Sequence, residues 1–296
     1  MRNTVKPEQR VTDSIIAALE NGTAPWRQSW IGGGNQVPTR SNGEPYRGIN
    51  VLLLMISQYS GGYGANRWMT FKQAEALGGN VRKGSKSTYV IKYGTYEKKV
   101  DGEAVGDEGS KLTAGYIKGY NVFNVDQIEG LPEQYYDKPE VVAGHVDWNM
   151  ELEATLAQTG ANISWSGTRA YFAPGPDHIV MPDRERFSDA EQAYATLCHE
   201  LVHWTGHKDR LARDFSGKKE AYAYEELVAE LGAAFLGSHF GFRPDHIEDH
   251  ASYIASWLKV LKNDPKAIIS AASKAQAATD YIRELIAVEA QVAVAA

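Results

Sequence analysis

The chain has 296 residues, 43% of them hydrophobic and 23% charged, with a formal net charge of −6 at pH 7. These fractions are those of a soluble globular protein, and no apolar run approaches the roughly 20 residues of a membrane span. Residues 1–10 lack a signal-peptide core, and the only cysteine, Cys198, cannot form an internal disulfide. We therefore expect a cytoplasmic protein with no membrane partner.

Charge is distributed unevenly along the chain. Residues 1–126 carry a formal charge of +5, whereas the remaining 170 residues carry −11. The length is sufficient for two ordinary domains, each able to bury its own core. A basic half joined to an acidic half indicates a polyanionic partner for the first half only.

The first half alternates helical and strand patterns. Thr70-Phe71-Lys72-Gln73 has the form of a capping box and opens a helix that stops at Gly78. Apolar spacing predicts two earlier helices, and residues rich in Thr, Val, Ile and Tyr predict a hairpin whose acidic, glycine-rich tip is residues 101–110. The helices are predicted over residues 12–21 and 51–59, and the strands over residues 88–96 and 116–125.

Aromatic and basic side chains are interleaved throughout this half. Unpaired bases stack on aromatic rings for about 1–3 kcal/mol each, while Arg and Lys neutralise phosphates, so the mixture favours single-stranded DNA over closed duplex. The alternative is that the tryptophans belong to the core and the charges form an ordinary solvated face. Composition alone leaves both readings open. The candidate residues are Trp26, Arg27, Trp30, Arg40, Tyr46, Arg47, Arg67, Trp68, Arg82, Lys83 and Lys86.

Residues 129–145 contain Pro132 and Pro139, several acidic side chains and no clear periodicity. We predict that they link a DNA-binding domain at residues 1–128 to a second domain at residues 146–296. The second domain should open with a helix and three short strands. Their predicted positions are residues 147–158, 163–165, 170–173 and 177–182.

The next helix is predicted from Asp189 to Thr205. Ser188 and Glu191 have the spacing of a capping box, and Gly206 suits the position just past the helix end. Within it, His199, Glu200 and His203 form the pattern H-E-x-x-H. Residues four apart lie on one helix face, so both imidazoles can bind one metal ion while the Glu200 carboxylate deprotonates a bound water.

A third ligand is expected from a later helix. Glu226 and Glu230 are again four residues apart, so one can bind the metal while the other supports a ligating histidine. We assign Glu226 as the ligand and Glu230 as the supporting carboxylate. The predicted cofactor is a divalent metal, with zinc expected.

Two rivals to Glu226 remain. The spacing H-E-x-x-H-x-x-G-x-x-D would make Asp209 the ligand in a metzincin-like arrangement, but no methionine follows Met181 to form the turn beneath the metal. His207 is a weaker candidate that can instead donate a proton or cap helix carbonyls. Two further helices, over residues 247–261 and 265–292, should pack behind the site.

Both halves of the sequence resemble one family, the ArdC-type antirestriction proteins. The C-terminal resemblance is to a metallopeptidase-like domain, over residues 197–207 and 225–231. The N-terminal resemblance is to a domain shared with TraC-type plasmid primases, and it rests on the strings at residues 23–26, 46–50, 67–70 and 81–84.

The resemblance implies an α+β protein with a basic single-stranded DNA-binding domain and a zincin-like domain of gluzincin or SprT-like type. It implies a plasmid-encoded protein that binds single strands non-specifically and protects incoming conjugative DNA from host restriction. It places His199, His203 and Glu226 at the metal-ligand positions and Glu200 at that of the general base. The alternative function is a DNA-dependent metalloprotease that cleaves a DNA-associated protein.

Overall fold

The structure, a computed structural model, describes residues 5–20, 37–97, 113–136, 148–213, 219–242 and 251–295. Helices and strands occur in both halves, which confirms the predicted α+β class. Trp26, Arg27, Trp30, the hairpin tip at residues 101–110 and most of the predicted linker lie outside the described residues.

The described part of the first half contains a mixed sheet and three α-helices. The helices are α1 (Pro7–Glu20), α2 (Ile49–Gly61) and α3 (Phe71–Ala76). The strands are β1 (Thr39–Arg40), β2 (Arg67–Met69), β3 (Asn80–Val81), β4 (Thr88–Glu97), β5 (Thr113–Asn124) and β6 (Ile128–Glu129). Strands β1, β2, β5 and β4 form a four-stranded sheet in that order, and β3 pairs with β6.

Local signals in this half place α3 and the hairpin correctly. The Thr70 hydroxyl accepts a hydrogen bond from the Gln73 N–H and the Gln73 side chain accepts one from the Thr70 N–H, which is the predicted capping box. Strands β4 and β5 pair in antiparallel register along their length. Because β4 is an edge strand, its open backbone needs partners, and Asn50 at the start of α2 bonds to both the N–H and the carbonyl of Ile91.

The second half begins with α4 (Met150–Ala157), which starts later than predicted because Asn149 caps it. Three strands follow: β7 (Asn162–Trp165), β8 (Tyr171–Ala173) and β9 (His178–Met181). The sheet order is β7-β9-β8, with β7 parallel and β8 antiparallel to the central β9. Strand β8 is therefore an edge of this sheet.

Four helices complete the described chain: α5 (Ala190–Thr205), α6 (Lys219–Phe240), α7 (Ala251–Asn263) and α8 (Ala267–Ala295). The cap predicted for α5 is displaced by one residue, because the Asp189 carboxylate, not Ser188, accepts the capping bond, from the Gln192 N–H at 2.8 Å. Gly206 ends the helix with φ −75°, so no left-handed turn is used there.

One hydrophobic core runs through both halves. Ile15 of α1 and Leu54 of α2 belong to the same buried cluster as Trp257 of α7 and Ile268 of α8. A polar contact reinforces it, since the Gly48 N–H donates to Oε1 of Gln276 at 2.9 Å. In the described part of the chain, no helix has the length and apolar character that crossing a membrane requires.

Candidate metal centre

His199 and His203 lie one turn apart on the buried face of α5. Their side chains are 2% and 10% exposed, and their Nε2 atoms are 3.1 Å apart. The i to i+4 spacing thus brings the two nitrogens to one point, as the sequence predicts.

Helix α6 brings Glu226 to the same point. Its Oε2 lies 3.6 Å from Nε2 of His199, and its Oε1 lies 3.5 Å from Nε2 of His203. The ligand atoms of a tetrahedral zinc site, each about 2.0–2.1 Å from the ion, stand roughly 3.3 Å from one another. The two nitrogens and one carboxylate therefore have the spacing and the chemistry that a divalent ion of this type requires.

A glycine allows α5 and α6 to approach closely enough. A Cβ atom built on Gly232 would lie 2.6 Å from Cγ2 of Val202, a methyl group on α5 between the two histidines in sequence. A larger residue here would force the helices apart. Gly232 therefore sets the distance across which Glu226 reaches the imidazoles.

The electrostatics of the three side chains also suit a cation. Burial disfavours the charged imidazoles, but the neighbouring carboxylates outweigh it, so the pKa of His199 is raised and that of His203 is raised well above its ordinary value. Burial would raise the pKa of Glu226, yet the adjoining imidazoles hold it well below its usual range. The site has a negative potential in which protons and a metal ion compete.

The carboxylate that supports His203 is Glu225, which the sequence analysis did not select. Nδ1 of His203 lies 3.2 Å from Oε1 of Glu225, and a proton held there leaves Nε2 free to bind metal. Glu230, predicted for this role, is buried one turn after Glu226, and its supporting role stays a prediction. The adjacency of Glu225 to Glu226 in sequence was the only available signal.

Arg213 fixes Glu225 in place. Its guanidinium donates to both Glu225 oxygens at 2.8–3.1 Å and to the Thr205 hydroxyl at 2.8 Å. It also donates to the Val202 carbonyl at 2.5 Å, so the loop after α5 is tied back onto that helix. His203, Glu225 and Arg213 form a buried chain that orients a ligand, and no sequence spacing pointed to Arg213.

A cavity of about 260 Å³ opens beside the three ligand atoms. Glu200, 2% exposed, lines it, as do Tyr171 and Phe172 of the edge strand β8 and Tyr222 of α6. The predicted base, the ligands and a strand edge therefore border the same space.

The two rival ligands lie elsewhere. The Asp209 side chain is 73% exposed and contacts Nδ1 of His207 at 3.4 Å, so the metzincin-like alternative is corrected by the structure. His207 is buried, with its ring edge-on to Phe172 and its Nδ1 accepting from the Asp209 N–H. Neither residue joins the cluster of His199, His203 and Glu226.

Among the residues predicted to bind DNA, Trp68 needs correction. It is 0% exposed in β2, between β1 and β5, with its ring edge-on to Tyr63 at 5.8 Å between ring centres. A buried indole cannot stack on a base, so Trp68 is a core residue. Tyr46 is only 9% exposed and lies beneath the Arg40 guanidinium.

The four predicted arginines that the structure describes each have a protein partner; Arg67 is half-buried, and the other three are exposed. Lys83 and Lys86 are also exposed, in the loop that leads into β4. Their contacts with DNA stay a prediction, as do those of Trp26, Arg27 and Trp30, which lie outside the described residues. The partners are Glu44 for Arg40, Asp280 for Arg47, the Gln134 carbonyl for Arg67 and the Asp126 carbonyl for Arg82.

The mixed three-stranded sheet, the H-E-x-x-H helix and the carboxylate-bearing α6 define a zincin-like protein. In agreement, residues 150–274 match the family described as zincin-like metallopeptidase, and residues 6–123 match the N-terminal domain of anti-restriction factor ArdC. The metal-free crystal structure of antirestriction ArdC protein from R388 plasmid is 46% identical, with TM-score 0.80, covering 95% of this chain and 97% of that one. The chain belongs to the ArdC antirestriction protein family.

Further relatives agree with this assignment. The Mn(II)-bound structure of the same plasmid protein is 44% identical, with TM-score 0.78, over 95% of this chain and 98% of that one. The uncharacterized protein y4eC of Sinorhizobium fredii is 38% identical over 93% of this chain and 90% of its own. A DNA primase TraC of Escherichia coli is 36% identical over 95% of this chain, which spans only 27% of the primase.

Proposed function

We propose that this protein binds single-stranded DNA non-specifically, protects incoming conjugative DNA from restriction, and holds a divalent metal on His199, His203 and Glu226. The observation that carries the metal assignment is that the three ligand atoms lie within 4.8 Å of one another. Two nitrogens and a carboxylate oxygen suit zinc, and the Mn(II)-bound relative makes manganese the rival. Metal analysis of protein purified without added metal distinguishes the two ions.

The site also has the parts of a hydrolase. When bound, a divalent ion of this class polarises a carbonyl and lowers the pKa of a water molecule to about 7. Glu200, buried in the wall of the same cavity, would serve as the general base for such a water and as the proton donor to a leaving amine. The contact of His203 Nδ1 with Glu225 would leave Nε2 of His203 available to hold the ion.

A peptide substrate has a place to dock. Strand β8 is an edge of its sheet, and Tyr171 and Phe172 border the cavity. An extended peptide that adds to this edge would lie beside the three ligands and Glu200. These features favour a second candidate function, a DNA-dependent metalloprotease that cleaves a DNA-associated protein.

We assign DNA binding and the metal centre to different parts of the chain according to their charge. We keep residues 1–128 as the DNA-binding unit, residues 129–145 as the linker and residues 146–296 as the zincin-like unit. The first unit carries the positive charge that phosphates require, and the second carries the metal centre. We expect the protein to act in the cytoplasm, where incoming DNA meets restriction enzymes.

One experiment separates shielding from proteolysis. Glu200→Gln removes the base and keeps the side-chain volume and the three ligands, so metal content and single-strand binding should equal those of wild type. We expect a plasmid entering a restricting host to remain protected. Loss of protection with metal and DNA binding intact would instead establish the metalloprotease, and the substrate would then be sought among DNA-associated proteins.

A further inference from the structure

The β4–β5 ribbon presents two different faces. Opposed residues of an antiparallel pair point to the same side, so the register places Lys92 with Lys118 and Gly94 with Tyr116 on one face. Val90, opposite Tyr120, lies on this face too and is buried, which anchors the base of the ribbon. Beyond it Lys92, Tyr116 and Lys118 are exposed.

The two lysines stand directly opposite each other. Like charges in this position destabilise an antiparallel pair. Within the described residues, neither Lys92 nor Lys118 has a carboxylate in ion-pair distance, and Lys118 Nζ lies over the Tyr120 ring at 5.3 Å from its centre. Among the described residues of the ribbon, these two positive charges therefore lie side by side without an acidic partner, and a bound anion would reduce their repulsion.

An aromatic ring flanks the lysines. The Tyr116 ring lies across Gly94, where an added Cβ would meet Cζ of the tyrosine at 2.4 Å. Because glycine leaves room for the ring, Tyr116 is supported from below while remaining 43% exposed. A supported ring with an open side is the platform on which an unpaired base can stack.

We infer that Lys92, Tyr116, Lys118 and Tyr120, here named the Lys–Tyr face, contact single-stranded DNA. The inference rests on the proposed DNA binding and identifies its surface. The paired lysines contact phosphates and Tyr116 stacks on a base, which combines charge and rings as single-strand binding requires. None of these four residues was among the sequence candidates.

The opposite face of the ribbon supplies a matched control. Tyr93 follows Lys92 in β4, points to the other side and is 53% exposed, more than Tyr116. The cavity beside it is lined by Glu8 of α1 and by Lys266, so one charge of each sign lies near its ring. Position 93 thus offers an exposed tyrosine of the same ribbon on the face without the paired lysines, which makes it a fair test of the charge argument.

The test measures binding of a fluorescein-labelled oligo(dT) to the full chain at several salt concentrations. Tyr116→Leu keeps a side chain over Gly94 but removes the ring, and should weaken binding by about 5- to 100-fold, while Tyr116→Phe should bind as wild type does. Lys92→Gln with Lys118→Gln should lower the slope of log affinity against log salt by about 1.4, since each single-strand phosphate contact contributes roughly 0.7. Tyr93→Leu should bind as wild type does.

The outcomes separate this surface from the function on which it rests. If the wild-type chain binds DNA and the affinities of Tyr116→Leu and of the double lysine variant equal that of wild type, the Lys–Tyr face is overturned but DNA binding is not. A larger loss in Tyr93→Leu than in Tyr116→Leu would also overturn it and move the contact to the opposite face. Failure of the wild-type chain to bind would overturn both proposals. Melting temperatures and metal content equal to wild type show that each variant is folded.

Discussion

The metal centre and the Lys–Tyr face treat charge in opposite ways. At the centre, the buried carboxylates of Glu225 and Glu226 face cations or imidazoles of the protein itself. On the ribbon, Lys92 and Lys118 face each other in solvent. Buried charges must be compensated internally because desolvation is costly, whereas exposed charges are stable without partners. The first arrangement prepares a fixed position for one ion, and the second attracts a polyanion.

Replacement of Trp68 tests whether the aromatic residues of the first half act through the core or through a surface. Trp68→Ala should lower the free energy of unfolding by about 3–5 kcal/mol, because it leaves a cavity where a fully buried ring was. Urea denaturation measures this loss. Below the melting temperature, the affinity of Trp68→Ala for oligo(dT) should equal that of wild type. Tyr116→Leu should show the reverse, with weakened binding and unchanged stability. A stable Trp68→Ala protein with weakened DNA binding would contradict the core assignment.

Removal of a ligand tests the centre directly. Glu226→Ala should weaken metal binding by more than about 100-fold, since loss of a supporting residue alone typically costs 10- to 100-fold. Isothermal titration of metal-free protein measures the affinity. Asp209→Ala is the control, because this exposed carboxylate lies outside the ligand cluster. Retention of metal by Glu226→Ala with its loss in Asp209→Ala would restore the metzincin-like alternative.

The pH dependence of metal binding sharpens the same point. In the metal-free protein the pKa values of His199 and His203 lie above the ordinary 6.5, so an entering ion must displace protons from both rings. Affinity should therefore rise with pH, by up to about 100-fold per unit where both rings are charged, and level off above the raised pKa values.

The stability of the metal-free fold should show the opposite trend and decrease as the pH rises. The raised pKa values stabilise it fully below pH 6.5, and this contribution is lost as the pH rises through them. Thermal melts with and without metal across this range measure both effects. An affinity that does not change with pH would show that the imidazoles are already neutral.

Sequence spacing selected the three residues of the metal cluster but not Glu225 or Arg213, which orient His203. The i to i+4 rule within one helix places His203 above His199 wherever the helix forms, and it also favoured Glu230 as the partner of Glu226. Glu225 instead reaches His203 because of the rotation of α6 against α5, which tertiary packing sets. Arg213 lies in the loop after α5, and no local sequence pattern predicts the path of this loop.

The ribbon was missed for a related reason. The hairpin itself was predictable from its residue types, but the pairing of Lys92 with Lys118 depends on strand register, and a tip as long as residues 101–110 does not fix the register. Trp68 beside Arg67 looked like a binding pair because its position in an inner strand was not visible. Spacing within helices and the expected ligand number were therefore sufficient to select Glu226, whereas contacts set by strand register or loop path were not predictable.

Replacement of Arg213 tests how much its ion pair with Glu225 contributes to metal binding at the centre. Arg213→Gln should weaken metal binding by about 10- to 100-fold, because Glu225 loses the guanidinium that orients it toward His203. Arg210→Gln is the matched control, since this arginine lies in the same loop but pairs with Asp177. Titration is carried out below the melting temperature of each variant. Equal affinities in the two variants would assign Arg213 to loop stability alone.

The smallest effect is expected at Arg40, which was a sequence candidate for DNA binding. Its guanidinium is 2.8 Å from the Glu44 carboxylate, so its charge is already compensated although the side chain is 48% exposed. Arg40→Gln should change the free energy of unfolding by less than about 1 kcal/mol and leave the salt slope of oligo(dT) binding unaltered. A drop of about 0.7 in that slope would show that DNA displaces Glu44 and that paired arginines contact phosphates as well. An unaltered slope, together with a lowered one in the double lysine variant, would establish that exposed positive charge contributes to binding only where the protein leaves it uncompensated.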